Sequence, residues 1–203
     1  QRVGPVAWVA GCAACSVAWL ETASAPGRVK KLVGGEGVGP PPSRIKQRID
    51  QTLRGRLNGW VNDGRKASGR VVKRYPSLED AFQRMQTENP HLSEAQARHL
   101  TIHGSNQNED GTFSWKFDNY VRNFSPIGIP FGDMATLYGD ITCPTLLVRG
   151  LESWASDPIA DGRTKSFNCP LEVEAFADAG HWVHHDQLDG FVERVKTFLN
   201  RPA

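Results

Sequence analysis

The stretch Ala179-Gly180-His181-Trp182 lies between two segments whose patterns predict a strand and a helix. Upstream, Leu171–Phe176 alternates apolar and polar residues with a period of two, which is typical of a strand near a sheet edge. Downstream, apolar residues recur every three or four positions from residue 188 to residue 199, which predicts an amphipathic helix. These patterns place His181 on the loop that follows the carboxyl end of a strand.

A second predicted strand, followed by an acidic loop, precedes this region. Residues 141–150 form a short apolar run that Pro144 enters and Gly150 ends, as expected of a buried parallel strand. The loop that follows carries Glu152 and Asp157. Because loops at the carboxyl ends of parallel strands share one edge of the sheet, we expect one of these acids to lie near His181.

A candidate nucleophile, Cys12, lies near the start of the sequence. The residue types there predict a strand, a turn of small residues, a helix and a second strand over residues 5–9, 10–15, 16–25 and 28–33. A nucleophile on a sharp strand-to-helix turn needs small residues two positions before and two positions after it. Ala10 and Ala14 meet this requirement around Cys12.

In the chain order nucleophile, acid, histidine, these segments resemble the C-terminal part of an α/β-hydrolase. The resemblance implies an α/β fold, namely a partial hydrolase sheet of mainly parallel strands with a helical cap insertion. It divides the sequence into residues 1–38 with the nucleophile turn, residues 39–138 as the cap, and residues 139–203 with the acid and histidine loops.

The nucleophile turn departs from the family pattern G-x-S-x-G. The aligned residues are Ala10-Gly11-Cys12-Ala13-Ala14, so a cysteine stands at the serine position and alanines replace both outer glycines. Some family members, among them the dienelactone hydrolases, use cysteine here. Many relatives also place an aspartate three or four residues after the glycine that ends the acid strand, where this chain has Ser153 and Trp154.

The resemblance implies hydrolysis of an ester or related acyl bond in a small molecule by a nucleophile–histidine–acid triad. Cys12 would attack the carbonyl carbon, His181 would accept the thiol proton, and Glu152 or Asp157 would orient the imidazole. The backbone N–H of Ala13 would donate to the oxyanion. No cofactor and no metal ion are expected.

Two other function classes fit the same residues. A non-catalytic or degenerate hydrolase-like domain with a binding role is favoured by the altered turn around Cys12. A thiol redox protein is suggested by Cys12 and Cys15, which are spaced as C-x-x-C. Cys143 and Cys169 form no second close pair, so a structural zinc site is not expected.

Family members carry several strands and an oxyanion loop before the nucleophile, and this sequence begins a few residues before Cys12. We therefore expect a fragment, a partner chain that completes the sheet, or a degenerate relative. Loss of one oxyanion donor costs roughly 3 to 4 kcal/mol of transition-state stabilisation, which predicts weak catalysis. An exposed edge strand near the N-terminus also predicts self-association.

The predicted cap contains helical and extended signals. Ser77 with Asp80 and Ser93 with Gln96 have the spacing of capping boxes, whereas the polar, glycine-rich residues 55–69 predict a mobile loop. Residues 106–111 predict a turn, and residues 113–117 a short strand.

The composition narrows the class of protein. The 203 residues are 39% hydrophobic, which suffices for a sizeable core, and the net charge of +2 gives no reason to expect nucleic acid binding. The apolar stretch from residue 6 to residue 20 is too short and too interrupted to span a membrane. We expect a soluble, cytoplasmic protein. His99 and His103 are expected on a polar helix face, and His184 or His185 is expected to line the His181 loop or to face solvent rather than to bind a metal ion.

Overall fold

The computed structural model describes residues 5–121, 123 and 125–202, so the first four residues of the predicted nucleophile segment lie outside the described residues. The chain forms two compact units. The core unit comprises Gln1–Arg48 and Ile129–Ala203, and the second unit comprises Ile49–Gly128.

The secondary structure alternates between strands and helices, with four consecutive helices between residues 42 and 104. The strands are β1 Val6–Gly11, β2 Val29–Gly35, β3 Ser105–Gln107, β4 Phe113–Trp115, β5 Thr145–Gly150 and β6 Leu171–Phe176. The helices are α1 Ala13–Ser24, α2 Pro42–Ile49, α3 Leu53–Ser68, α4 Leu78–Glu88, α5 Glu94–Gly104, α6 Phe131–Gly139, α7 Val183–Asp186 and α8 Leu188–Asn200. A 3₁₀ turn covers Arg163–Ser166.

The core unit contains a four-stranded sheet in the order β1-β2-β5-β6, and every neighbouring pair is parallel. The predicted α/β class with a mainly parallel sheet is therefore confirmed. The loops after β1, β2, β5 and β6 all leave the same edge of the sheet, because parallel strands point in one direction. That edge carries the candidate site.

Buried side chains cover both faces of this sheet. Leu32 of β2 and Leu147 of β5 belong to a cluster around Trp19 of α1, together with Tyr138 and Phe167. The neighbouring residues Val33, Leu146 and Val148 belong to a second cluster with Val195 and Phe198 of α8. Since side chains alternate across a strand, the two clusters lie on opposite faces.

The turn after β1 is shorter than the sequence predicts. A turn over residues 10–15 was expected, but β1 ends at Gly11 and α1 begins at Ala13, so that prediction is wrong at both ends. The reason is that Ala13, Ala14 and Cys15 are all compatible with a helix, and Cys15 is fully buried there.

The second unit contains α3, α4, α5 and the antiparallel pair β3–β4. Both predicted capping boxes are present, with Ser77 and Ser93 each accepting from the backbone N–H three residues on. The predicted mobile loop over residues 55–69 is wrong, because α3 occupies it. The Thr52 hydroxyl accepts from the Gly55 N–H and caps that helix, whose long side chains offset its glycines. The role of residues 39–138 as a cap stays a prediction.

The described residues include no helix that is both long enough and apolar enough to cross a bilayer.

Strand β1 leaves apolar surface exposed. Among the described residues it pairs only with β2, and Trp8 and Val9 of β1 and Val17 of α1 are exposed. A flat, uncharged edge strand is a template for pairing with another chain.

We predict that this chain self-associates through β1 and that Val9→Lys raises the monomer fraction, because a charged edge residue opposes strand pairing. Size-exclusion chromatography with light scattering measures the monomer fraction. The matched control is Val71→Lys, which adds the same charge at an exposed site of the second unit. A monomeric wild-type chain would contradict the prediction.

Candidate active site

Cys12 occupies a strained turn between β1 and α1. Its backbone angles are φ 51° and ψ −125°, a left-handed region that costs a non-glycine residue about 1 to 3 kcal/mol. The turn is held by the Cys12 N–H, which donates to the Gly35 carbonyl over 2.8 Å, and by the Cys12 carbonyl, which accepts from Cys15 over 3.1 Å. The Cys12 residue is exposed and its thiol is free.

Two glycines allow the loops around Cys12 to approach one another. A Cβ added at Gly37 would lie 2.2 Å from the Cβ of Cys15 and 2.6 Å from the Cys12 carbonyl oxygen. A Cβ added at Gly150 would lie 2.1 Å from the Gly180 carbonyl oxygen. Both contacts are too close for any side chain. The loop that follows β2 therefore packs against the Cys12 turn. The end of β5 packs against the loop that carries His181.

The loop between β6 and α7 carries His181. The Gly180 N–H donates to the Asp186 carboxylate over 2.8 Å, and the Ala179 carbonyl accepts from the Glu152 N–H over 3.0 Å. These two bonds fix the backbone on which His181 stands. The His181 side chain is mostly buried, and the ring of Trp154 lies over it with 4.4 Å between centroids.

The acid in contact with His181 is Glu36, the residue after β2. Its Oε2 lies 3.4 Å from His181 Nδ1, and its side chain is 3% exposed. The Glu36 carboxylate also accepts from the Gly150 N–H over 2.7 Å and from the Ser153 hydroxyl over 2.8 Å. Three separate loops therefore meet at this buried carboxylate.

The contact between His181 and Glu36 is longer than a well-formed hydrogen bond, and it becomes an ion pair only when His181 is protonated. At 3.4 Å the two atoms are further apart than in a typical charge-assisted bond. Neither imidazole nitrogen has the geometry of a hydrogen bond to any described residue. Catalytic hydrogen bonds are often long without substrate and shorten in the complex.

The surroundings of His181 favour its protonated form. The Glu36 carboxylate raises the pKa of His181, burial opposes this, and the nearby Cys12 thiol raises it further. Burial raises the pKa of Cys15 to about 12, so this second thiol stays protonated. The Cys12 thiol is therefore near enough to His181 to act on its pKa, whereas Cys15 is a buried core residue.

The structure places the two predicted acids differently. Asp157 accepts from Arg149 over 3.0 Å and from the Ile159 N–H over 2.8 Å, so its carboxylate stabilises its own loop. The backbone N–H of Glu152 holds the histidine loop. Sequence reasoning missed Glu36 because it sought the acid after the next strand. The available signal was an acid directly after Gly34-Gly35 at the end of a strand.

Ala13, the predicted oxyanion donor, is the first residue of α1. Backbone N–H groups in the first turn of a helix have no partner within the helix, and the helix dipole adds positive potential there. Its position next to Cys12 is compatible with the predicted role.

His184 lies near enough to His181 to feel its charge. Burial lowers the pKa of His184, and the neighbouring His185 and His181 lower it further, whereas Asp186 raises it. In the part of the chain that the structure describes, no group of three or more histidine, cysteine, aspartate or glutamate side chains could hold a metal ion. The rings of His99 and His103 are 4.4 Å apart in the second unit.

Solved structures of a thioesterase domain and of an esterase are similar to this chain in fold. A thioesterase domain from the curacin biosynthetic pathway matches with a TM-score of 0.78 at 18% identity, and the match covers 97% of this chain and 68% of the thioesterase domain's chain. An esterase of Mycobacterium tuberculosis matches with a TM-score of 0.69 at 20% identity, and the match covers 95% of this chain and 62% of the esterase chain. The chain has the α/β-hydrolase fold.

A sequence relative agrees with this fold. A 2-hydroxy-6-oxononadienedioate/2-hydroxy-6-oxononatrienedioate hydrolase of Klebsiella pneumoniae is 30% identical over 84 residues. The match covers 41% of this chain and 29% of that protein, so the chain spans less than a third of this α/β-hydrolase relative. No protein-family model matches the sequence.

We predict that Glu36→Gln lowers the pKa of His181, because the substitution removes the carboxylate that favours the imidazolium. The pKa of His181 in the folded protein is raised above the ordinary histidine value of about 6.5, so the contact with Glu36 contributes its full stabilisation below a pH of about 6.5. This stabilisation is lost as the pH rises through the pKa of the folded state. NMR titration of the His181 ring protons measures the shift.

The control for this titration is Asp157→Asn, which removes an equal charge from the loop after β5. It should leave the pKa of His181 unchanged. An unchanged titration in Glu36→Gln would show that Glu36 does not act on the imidazole.

Proposed function

We propose that this protein hydrolyses an ester or a related acyl bond of a small molecule, with Cys12 as nucleophile, His181 as base and Glu36 as the orienting acid. The observation that carries the proposal is the buried Glu36 carboxylate against His181 Nδ1, with Cys12 acting on the same imidazole. The fold comparisons support hydrolytic chemistry in general. The triad is our own assignment.

In the first half-reaction, His181 Nε2 accepts the proton of the Cys12 thiol as the sulfur attacks the carbonyl carbon. The carbonyl oxygen takes up negative charge, and the Ala13 N–H at the start of α1 donates to it. When the tetrahedral intermediate collapses, the carbon–oxygen bond to the alcohol breaks and the alcohol leaves with the proton held by His181. Cys12 remains as a thioester.

In the second half-reaction, water attacks the thioester carbonyl and gives its proton to His181 Nε2. The carbon–sulfur bond then breaks, Cys12 recovers a proton from His181, and the carboxylic acid leaves. The imidazole is protonated twice in each cycle. A carboxylate at Nδ1 stabilises both imidazolium states and holds Nε2 toward the sulfur.

The position of Glu36 also gives Ser153 a role. The resemblance to the family places an aspartate near Ser153 or Trp154, and neither is acidic. The Ser153 hydroxyl instead donates to Glu36 Oε2, the oxygen that faces His181. We infer that the acid is supplied from the end of β2 and that the loop after β5 holds it in place.

The substrate would meet Trp154 before it reaches the imidazole. This side chain is 80% exposed, and its ring lies over His181. An exposed aromatic face next to the reacting groups favours a substrate with an apolar acyl or alkyl group. We therefore propose a small-molecule ester as the substrate.

We also propose that a strand of another chain pairs with the exposed edge of β1.

A second candidate function is non-catalytic binding of such an ester. It is favoured by the 3.4 Å separation between His181 Nδ1 and Glu36 and by the lack of a well-formed hydrogen bond at either imidazole nitrogen. The redox alternative is disfavoured, because Cys15 is fully buried and its pKa is about 12, which opposes thiol exchange with Cys12.

We predict that the chain hydrolyses a short-chain p-nitrophenyl ester, that Cys12→Ala reduces the rate to background, and that His181→Ala lowers the rate by about 10²- to 10⁴-fold but leaves a measurable residual rate. Glu36→Gln should lower kcat by about 10²- to 10⁴-fold, the range expected when the orienting acid of a triad is lost. Nitrophenol release by the full chain measures these rates.

The matched controls are Glu152→Gln and Asp157→Asn, which remove the two acids of the loop after β5. Both should retain the wild-type rate. Loss of activity in Asp157→Asn with full activity in Glu36→Gln would overturn the assignment of the acid. Ester binding without turnover would support the binding function instead.

A further inference from the structure

A second concave site lies in the core unit, in residues that the triad does not use. It is a cavity of about 230 Å³, and its described lining includes neither Cys12 nor His181. The walls come from the segment after Glu36, from α6 and from the 3₁₀ turn. They are mainly apolar, with Val38, Pro40, Pro42, Ile45, Met134 and Ala135.

One polar group in this lining lacks a partner. Tyr138 is 6% exposed, and its hydroxyl makes no hydrogen bond to any described residue. Its ring is fixed, because it stacks on Phe167 at 4.9 Å and meets Trp19 edge-on at 6.2 Å. Burial raises the pKa of Tyr138 to about 12, so the hydroxyl keeps its proton and can donate it.

The hydroxyl sits beside a position that only glycine fills well. A Cβ added at Gly39 would lie 3.2 Å from the Tyr138 hydroxyl, and Gly39 has φ +66°. The hydroxyl is not sealed inside the core, because it is not one of the fully buried polar atoms without a partner, and Tyr138 lines the cavity. A ligand oxygen in the cavity could therefore accept a hydrogen bond from Tyr138.

The charged groups of the lining are already paired. The Arg163 guanidinium donates to Asp161 over 2.8 Å, to the Gly39 carbonyl over 2.6 Å and to the Ser156 carbonyl over 2.8 Å. Asp161 also accepts from the Ser156 hydroxyl over 2.9 Å. These groups stabilise one another, which disfavours an ionic ligand and leaves Tyr138 to recognise a neutral one.

We propose that this cavity binds a small apolar molecule that carries one carbonyl oxygen, which accepts a hydrogen bond from the Tyr138 hydroxyl. An apolar protein cavity of about 150 Å³ is large enough to hold benzene, so this cavity has room for a ring with a carbonyl substituent. The inference does not depend on the hydrolytic chemistry at Cys12.

The test uses acetophenone as the probe and ethylbenzene as its matched partner, which has a similar shape but no oxygen. Ligand-observed NMR titration of the full chain gives both dissociation constants. We expect saturable binding of acetophenone, about 2- to 10-fold weaker binding in Tyr138→Phe, and no effect of that substitution on ethylbenzene.

A second pair of variants tests the location without altering the core. Ala135→Leu adds bulk to the exposed helix position that lines the cavity and should abolish binding of both probes. Thr136→Leu adds bulk at the next position of α6, outside the described lining, and should leave binding intact. Circular dichroism confirms that the variants fold.

The proposal is overturned if acetophenone does not saturate. It is also overturned if Ala135→Leu binds acetophenone as the wild type does, or if Tyr138→Phe binds both probes with unchanged affinity.

Discussion

The Glu36 carboxylate is almost fully buried, and three groups meet at it: the Gly150 N–H at the end of β5, the Ser153 hydroxyl in the loop after β5, and the His181 imidazole in the loop after β6. A buried charge is tolerated only when it is paired and hydrogen-bonded. Removing one partner of a buried ion pair typically destabilises by about 3 to 5 kcal/mol. The ends of three adjacent strands are therefore tied to one another through a single side chain.

Backbone strain is concentrated at the same edge of the sheet. Among the described residues, the non-glycine positions with a left-handed backbone are Cys12, Glu36 and Asp178, and each lies on one of the loops that form the candidate site. Such residues persist where the surrounding structure fixes them. Here the parallel ladder of β2 with β5 and the close contacts at Gly37 and Gly150 hold the loops in place.

The periodic parts of the fold could be predicted from the sequence. Alternation in Leu171–Phe176 and the apolar run before Gly150 gave β6 and β5, and the amphipathic spacing after residue 188 gave α8. The position of His181 on a loop followed from these elements. The helix α3 could not be recognised by the same reasoning, because its glycines predict a loop unless the cap at Thr52 is taken into account.

Spacing alone could not decide which carboxylate contacts His181, because that contact is a tertiary property. Glu36, Glu152 and Asp157 all follow parallel strands, and spacing alone does not separate them. The choice depends on burial and on partners. Arg149 donates a hydrogen bond to the Asp157 carboxylate, whereas the Gly150 N–H and the Ser153 hydroxyl both donate to the Glu36 carboxylate.

A double-mutant cycle on ester hydrolysis tests most directly whether Glu36 acts through His181. The rate to measure is acylation of Cys12, read as the initial release of nitrophenol by wild type, Glu36→Gln, His181→Ala and the double variant. Residues that act as one unit are strongly non-additive, so the double variant should be no slower than His181→Ala alone. If the two losses multiply in the double variant, Glu36 acts independently of His181 and the proposed triad is contradicted.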